Sequence, residues 1–331
     1  MGERTTLLLT GDEVEQEMPM GELVSAVEDA FEAYATGNAQ MPPKKYIDLP
    51  QYNGDFRSMP AYLQAEDWDA AAIKWVNVHP DNPEKFGIPT VMGTVIYSDP
   101  ENAYPLAIID GTVLTKKRTG AAAGVATDYL AVEDATTMGI IGVGIQAYTQ
   151  LEAVAHVRDI EEVVLNDVDD SNIEEFMEHF GDRFEMRSGT LEEAASCDVV
   201  STATPVREPI VEAGHVGEHT HINAMGADAE GKHELSDELL HESKIVIDDY
   251  DQCTHSGEIN VPFHEGVLDD SDIYGDICEI VAGKKEGRTD EDGVTIFDST
   301  GLALQDVAAA HVVYEHAQEH DIGTEFDLLN V

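Results

Sequence analysis

The chain has 331 residues, of which 67 are Asp or Glu and 18 are Lys or Arg, a formal charge of −49. A hydrophobic content of 42% excludes a disordered polyanion, and acids spread along the whole length exclude a discrete acidic tail. So negative a surface makes nucleic acid and anionic membrane poor partners, and no apolar run approaches the length of a membrane span. Such self-repulsion calls for screening, and the Debye length falls to about 3 Å only near 1 M salt. The expectation is a cytoplasmic protein of a halophilic cell with molar internal salt. No secretory signal is read at the start, and three widely spaced cysteines (Cys197, Cys253, Cys278) are expected to be reduced and mostly buried. The thirteen histidines show no ligand spacing, so no metal site is expected.

Length allows two domains. Residues 1 to about 130 read as α+β: a short Leu7–Leu9 strand, then a helix over about 19–36 with Leu23, Val27, Ala30, Phe31 and Tyr34 on one face. Strand-like segments follow near 44–49, 56–62, 70–78, 91–97 and 104–110, broken by Pro, Gly and Asn turns. Residues 119–130, opening Thr119-Gly120-Ala121-Ala122-Ala123-Gly124, read as a small-residue helix that packs tightly or lets its backbone approach a ligand.

From 131 to about 300 short β-runs (138–143, 162–166, 198–202, 219–224, 244–248, 294–297) alternate with helical stretches, the rhythm of a doubly wound parallel sheet. Its informative stretch is Gly142-Val143-Gly144-Ile145-Gln146-Ala147. An apolar strand leads in, an amphipathic helix follows, and a second strand ends in Asn166-Asp167 about twenty-five residues past the first glycine. Strand, glycine turn, helix and terminal acid form the dinucleotide-binding fingerprint of a Rossmann domain. Gly142 permits the tight turn, Gly144 lets backbone approach a pyrophosphate, and the helix N-terminus at Ile145 and Gln146 offers N–H groups and a positive dipole end. Asp167 would accept from an adenosine ribose and repel a 2′-phosphate; Val168 follows it with no cation, which favours NAD over NADP. Ser201-Thr202-Ala203-Thr204 and Asn223-Ala224-Met225-Gly226 end two further strands, and small residues at strand carboxyl ends are where such sheets bind ligands. Gly301 to about His320 reads as one amphipathic helix packing back on the N-terminal region, giving domains of 1–130 plus 301–331 and of 131–300.

In a chain so short of positive charge, four cations of the first domain stand out: Lys44, Arg57, Lys74 and Arg118, in strand-like or turn context. Lys74 interrupts the apolar run Ala70–Val76 and should be partly buried. Cations converging on one cleft would bind an anion, Arg gripping a carboxylate through two parallel hydrogen bonds. Asp228, directly after the strand ending at Ala224, is the candidate proton acceptor.

Met41-Pro42-Pro43-Lys44, Phe56-Arg57-Ser58-Met59-Pro60, Lys74 to Pro83, Leu114 to Ala123, Gly142 to Ala147, Asn223 to Asp228 and Phe297-Asp298-Ser299-Thr300-Gly301 resemble the ornithine cyclodeaminase/μ-crystallin family, in order and over nearly the whole chain. Within it the chain is most similar to the archaeal alanine dehydrogenases. The resemblance implies a homodimer whose N-terminal domain, completed by the C-terminal helix, forms the subunit contact, and a substrate site in a cleft. It implies that Lys44, Arg57 and Arg118 hold a substrate carboxylate, Lys74 polarises the reacting carbonyl or imine, and Asp228 handles the proton. It adds Thr119 and Ser299 to the residues expected against NAD. Ornithine cyclodeaminases carry a glutamate where this chain has Arg57, which would repel a second ammonium. Reversible NAD-dependent deamination of L-alanine is therefore expected. Ornithine cyclisation to proline, ketimine reduction and a crystallin-like binding role stand as alternatives.

Overall fold

The computed structural model describes residues 4–329. In chain order the elements begin with β1 (Thr6–Leu9), α1 (Gly11–Gln16), α2 (Met20–Thr36), β2 (Ala39–Gln40), β3 (Lys45–Leu49), β4 (Gly54–Gln64), β5 (Asp69–Val78), α3 (Asn82–Phe86), β6 (Val91–Ser98), β7 (Pro105–Asp110) and α4 (Gly111–Leu130). They continue with β8 (Thr137–Ile141), α5 (Ile145–Val157), β9 (Glu162–Asn166), α6 (Asp170–Phe180), β10 (Glu185–Ser188), α7 (Leu191–Ala195), β11 (Val199–Thr202) and β12 (His221–Ala224). The remainder is α8 (Asp237–His241), β13 (Lys244–Ile247), α9 (Tyr250–Ser256), α10 (Asn260–Glu265), β14 (Ile273–Asp276), α11 (Ile277–Val281), β15 (Thr295–Asp298), α12 (Ala303–His320) and β16 (Thr324–Phe326). Two compact units result: residues up to Arg118 together with Leu302 onward, and Thr119–Gly301.

The first unit is a mixed sheet in the order β16-β1-β7-β6-β5-β4-β2, with β3 added along β4. Only β1 and β7 run parallel; every other pairing is antiparallel. Register sets the two faces apart, because side chains alternate along each strand. Leu9, Ile109, Val95, Lys74 and Met59 stand opposite one another in a single row across five strands, and all five are buried. Helices α2 and α12 cover this face. The next row, on the other face, holds Leu8, Ile108, Ile96, Ile73 and Pro60, and Leu8, Ile96 and Ile73 are exposed. Trp75 is also exposed there and stacks on Phe56 at 5.1 Å between ring centroids.

Helix α4 starts eight residues before the expected small-residue helix. Asp110 Oδ1 accepts from the backbone N–H of Thr112 and Val113 and so satisfies two donors of the first turn. Lys116, Lys117 and Arg118 are therefore helical, not in a turn.

The second unit is an all-parallel sheet in the order β10-β9-β8-β11-β12-β15-β13-β14. Strand order reverses direction at β8, the Rossmann arrangement expected from the βαβ rhythm. Its strands are near-continuous apolar runs buried on both sides, with Met138, Ile140, Val163, Leu165, Phe176 and Val199 packing one layer and Val200, Ile222, Ile245 and Ile296 the other. Cys197, Cys253 and Cys278 are free and buried.

Candidate active site

Lys74 is the unusual residue of the first unit. Only 1% exposed, it sits within the apolar row of the covered sheet face. Its ammonium donates to Asp306 Oδ1 at 2.7 Å and to Thr115 Oγ1 at 3.1 Å. Burial pulls the ammonium down to about 7, with Asp306 holding it up against that and Arg118 and Lys44 pressing it further down. A lysine so placed exchanges its proton near neutrality.

Asp306 comes from the first turn of α12, and Arg118, from α4, brings its Nε within 3.2 Å of the same Oδ1 while Nη1 donates to Gln305 Oε1 at 2.9 Å. Asp306 Oδ2 and Gln305 Nε2 are buried with no hydrogen-bond partner among the described residues. One carboxylate thus faces two buried cations, leaving an excess of positive charge and an unsatisfied donor, a fit for an anion. Lys44 is half-buried just before β3, and the β3–β4 register carries its position to Met59, the neighbour of Lys74. Arg57 shares this sheet face. It holds Asp55 through two hydrogen bonds of 2.8 and 3.1 Å and lies over the Tyr46 ring, so an incoming carboxylate would compete with Asp55.

In the second unit, strand register aligns Asn166, Ile141, Thr202, Ala224 and Asp298 in one row at the carboxyl edge. The residues just past that row are Asp167, Gly142, Ala203, Met225 and Ser299, so the expected cofactor residues fall on one line. Gly142 has φ +89°, and a Cβ there would lie 2.8 Å from the Ala203 carbonyl oxygen. Gly144 caps α5 without a side-chain hydrogen bond, and a Cβ on it would meet nothing within 4 Å. Ile145 is exposed beside it, while Gln146 Oε1 is buried with no partner among the described residues. An uncapped helix start, a glycine with open space and an orphaned acceptor fit a pyrophosphate and its neighbouring groups. Asp167 reaches back to the turn: Oδ2 accepts from Val143 N–H at 2.6 Å and Oδ1 from Asp169 N–H and Asn172. Thr119, almost buried, begins this unit's share of α4.

Not every expected contact faces solvent. Thr202 and Thr204 donate from their hydroxyls to Glu234 at 2.7 and 2.6 Å, and the N–H groups of Thr204 and Gly226 add to it. Ser299 is buried and donates to Asp248, so its hydroxyl faces an interior carboxylate. Asp228 is half-exposed and pairs with Lys232 at 2.7 Å. The acids Glu234 and Glu258 were invisible to sequence reasoning. Both are fully buried, and Glu258 Oε1 accepts from the N–H groups of Glu234 and Leu235. Burial raises both carboxyls, Glu258 well above the usual range with Glu234 adding to it. They tie strand ends β11 and β12 to the loops after them.

Asp306 was also missed, although it had a signal: an acid four residues after Leu302 and four before Ala310, on the apolar stripe of an amphipathic helix. His316 and His320, expected to show no ligand spacing, are four apart on α12 and share a helix face.

The model of the ornithine cyclodeaminase/mu-crystallin family matches residues 4–321. The chain belongs to this family. An alanine dehydrogenase of Archaeoglobus fulgidus is 48% identical over 327 residues, 98% of this chain and 99% of the relative. Among solved structures, an archaeal alanine dehydrogenase dimer with bound NAD superposes with a TM-score of 0.93 at 48% identity, covering 98% of this chain and 100% of that one. The Thermococcus litoralis Δ1-pyrroline-2-carboxylate reductase, in complex with NADH and L-proline, gives 0.91 at 39% identity over 96% and 99%. No helix among the described residues is long and apolar enough to cross a membrane.

Proposed function

We propose that this family member is an NAD-dependent alanine dehydrogenase, interconverting L-alanine, water and NAD with pyruvate, ammonia and NADH. The observation that carries the reading is Lys74: a buried ammonium brought near neutrality beside Arg118 and Asp306. Full-length 48% identity to an alanine dehydrogenase supports the same choice of substrate.

NAD supplies the hydride acceptor. Lys44, Arg57 and Arg118 bind the substrate carboxylate, Arg57 after releasing Asp55. Protonated Lys74 donates a hydrogen bond to the oxygen or nitrogen that gains charge. Asp228 takes the proton of the water that adds to the imine carbon. Thr119, Gly142, Gly144, Ile145, Gln146, Asp167, Thr202, Ala203, Thr204, Met225, Gly226 and Ser299 form or support the NAD seat. Two chains associate through the open sheet face of Leu8, Ile73, Trp75 and Ile96, and the enzyme works in a high-salt cytoplasm.

NADH formation with L-alanine, compared with L-ornithine and with NADH-dependent reduction of Δ1-pyrroline-2-carboxylate, tests the reading. Turnover of alanine as the preferred substrate is expected. Preferred reduction of the cyclic imine would transfer the assignment to the reductase branch, which the 39%-identical relative favours. Redox-neutral conversion of ornithine to proline would exclude both.

Cofactor choice follows from Asp167 and the fully exposed Val168 after it. A 2′-phosphate facing that carboxylate without a cation loses about 1–3 kcal/mol, so Kd for NADP should exceed that for NAD roughly ten- to a hundredfold. Equal Kd values by calorimetry would mean that another basic group covers the ribose.

The two glycines should respond differently to alanine. Gly142→Ala meets a carbonyl at 2.8 Å with φ positive and should lower stability by about 1–3 kcal/mol. Gly144→Ala, placed in open space, should melt like the parent yet bind NAD at least tenfold more weakly. Unchanged NAD affinity in a folded Gly144→Ala protein would move the pyrophosphate elsewhere.

A further inference from the structure

We propose that the first unit carries a site for a divalent transition metal of the zinc type, built by Glu17, His316 and His320 with Glu22 beside them. His316 and His320 occupy successive turns at the end of α12, with both rings over the corner between α1 and α2. Glu17 caps the C-terminus of α1, and Glu22 lies in the first turn of α2. His320 Nδ1 is 2.6 Å from Glu17 Oε2, and His316 Nε2 is 2.7 Å from Glu22 Oε2. One donor atom from each of Glu17, His316 and His320 falls within 4.8 Å of the others. Side chains of Glu17 and His316 are only 13% and 19% exposed, so two of the ligands are held by packing.

Two imidazoles and the Glu17 carboxylate, with Glu22 within hydrogen-bond reach of His316, form a nitrogen and oxygen set that suits zinc, nickel or copper better than calcium or magnesium, which avoid imidazole. Bonds of about 2.0–2.1 Å place tetrahedral donors roughly 3.3 Å apart. The hydrogen-bonded pairs at 2.6 and 2.7 Å need to open by about 0.6–0.7 Å, and donors up to 4.8 Å apart need to close by up to about 1.5 Å, both through side-chain rotation. Two carboxylates around neutral imidazoles balance a divalent ion. Imidazole must be neutral to bind a metal, so affinity should weaken as pH falls. Binding would fasten the C-terminal helix, which carries Asp306, to the α1–α2 corner.

The test is calorimetric titration of zinc chloride into full-length, chelator-treated protein, in the salt that keeps it native, with cobalt as a spectroscopic probe. One equivalent per chain at micromolar Kd or tighter is expected, with the strong visible bands of four-coordinate cobalt and a higher melting temperature. His316→Gln with His320→Gln should abolish the stoichiometric site or weaken it at least tenfold, while circular dichroism and NADH binding stay as in the parent. The absence of a stoichiometric site, or a site unchanged in the double variant, would overturn the proposal and leave the cluster as two His–Glu ion pairs. Glu17→Gln serves as the second variant. Because it keeps both rings, loss of affinity there identifies the carboxylate as a ligand.

Discussion

Replacing Asp306 by alanine should lower kcat/KM for alanine by at least a hundredfold and destabilise the protein by about 3–5 kcal/mol at pH 6, because a buried charge loses its partner. Lys74 and Arg118 are 1% and 6% exposed, so water does not screen the loss. The pH dependence identifies the cause. Lys74 has a folded pKa of about 7 against an ordinary 10.5, so the unfolded chain binds more protons between those values. Its contribution to stability therefore rises as pH climbs from about 7 to 10.5 and is lost as pH falls back. Without Asp306 the folded pKa drops further, so the added destabilisation should be largest below pH 7 and shrink toward pH 9. Asp306→Asn, which keeps the volume, should move the pH–rate limb set by Lys74 to lower pH with a smaller change in melting temperature. Urea titrations at pH 6 and 9 and a pH–rate profile measure both. An unmoved limb in a folded Asp306→Asn protein would mean that Lys74 does not titrate in the catalytic step.

Dialysis from molar KCl into about 0.1 M salt should inactivate the proposed enzyme and separate the proposed dimer. At −49 per chain, lengthening the Debye length from about 3 to about 10 Å lets carboxylates on neighbouring elements repel one another. The crowding is visible at Asp29, whose carboxyl is raised by partial burial and by Glu28, Glu32 and Glu66 around it. A raised acid binds its proton more tightly when folded. Its stabilising effect is full below pH 3.8 and fades as pH rises through the folded value, so mild acidification should partly replace salt. NADH should protect by mass action. Sedimentation and activity across a KCl series at pH 5.5 and 8 provide the measurement. A fully active dimer in low salt at pH 8 would show that the acids answer some other demand.

The parts that sequence made legible are those in which a rule ties residue type to backbone. Gly142 takes a positive φ, Gly144 leaves room at a helix start, and Asp167 directly follows its strand, as the spacing required. Lys74 was legible because a charge in an apolar strand has to be explained. Its partner was not, since Asp306 lies 232 residues away and only the fold brings them together. Glu234 and Glu258 stayed hidden because an interior acid looks like any other in so acidic a chain. Strands β10, β14 and β16 were missed for a different reason: they are short edge strands, and β16 is exposed along its length, so no alternation marks it. The beginning of α4 was lost because three consecutive cations looked like a turn.

The first unit is discontinuous, and β1 pairs with β16 only when the last residues are available. During synthesis the second unit is contiguous and complete once Gly301 has emerged, and it can condense on its own. The sheet of the first unit is translated earlier yet waits for α12 to cover the face that holds Lys74. Loop closure across the whole intervening unit then makes the first unit the slow step, with a high contact order. Until it closes, the nascent chain displays apolar rows on both sides of a sheet. A dense negative charge keeps such chains apart, so the acids expected to burden the finished protein in dilute buffer guard it while it is being made.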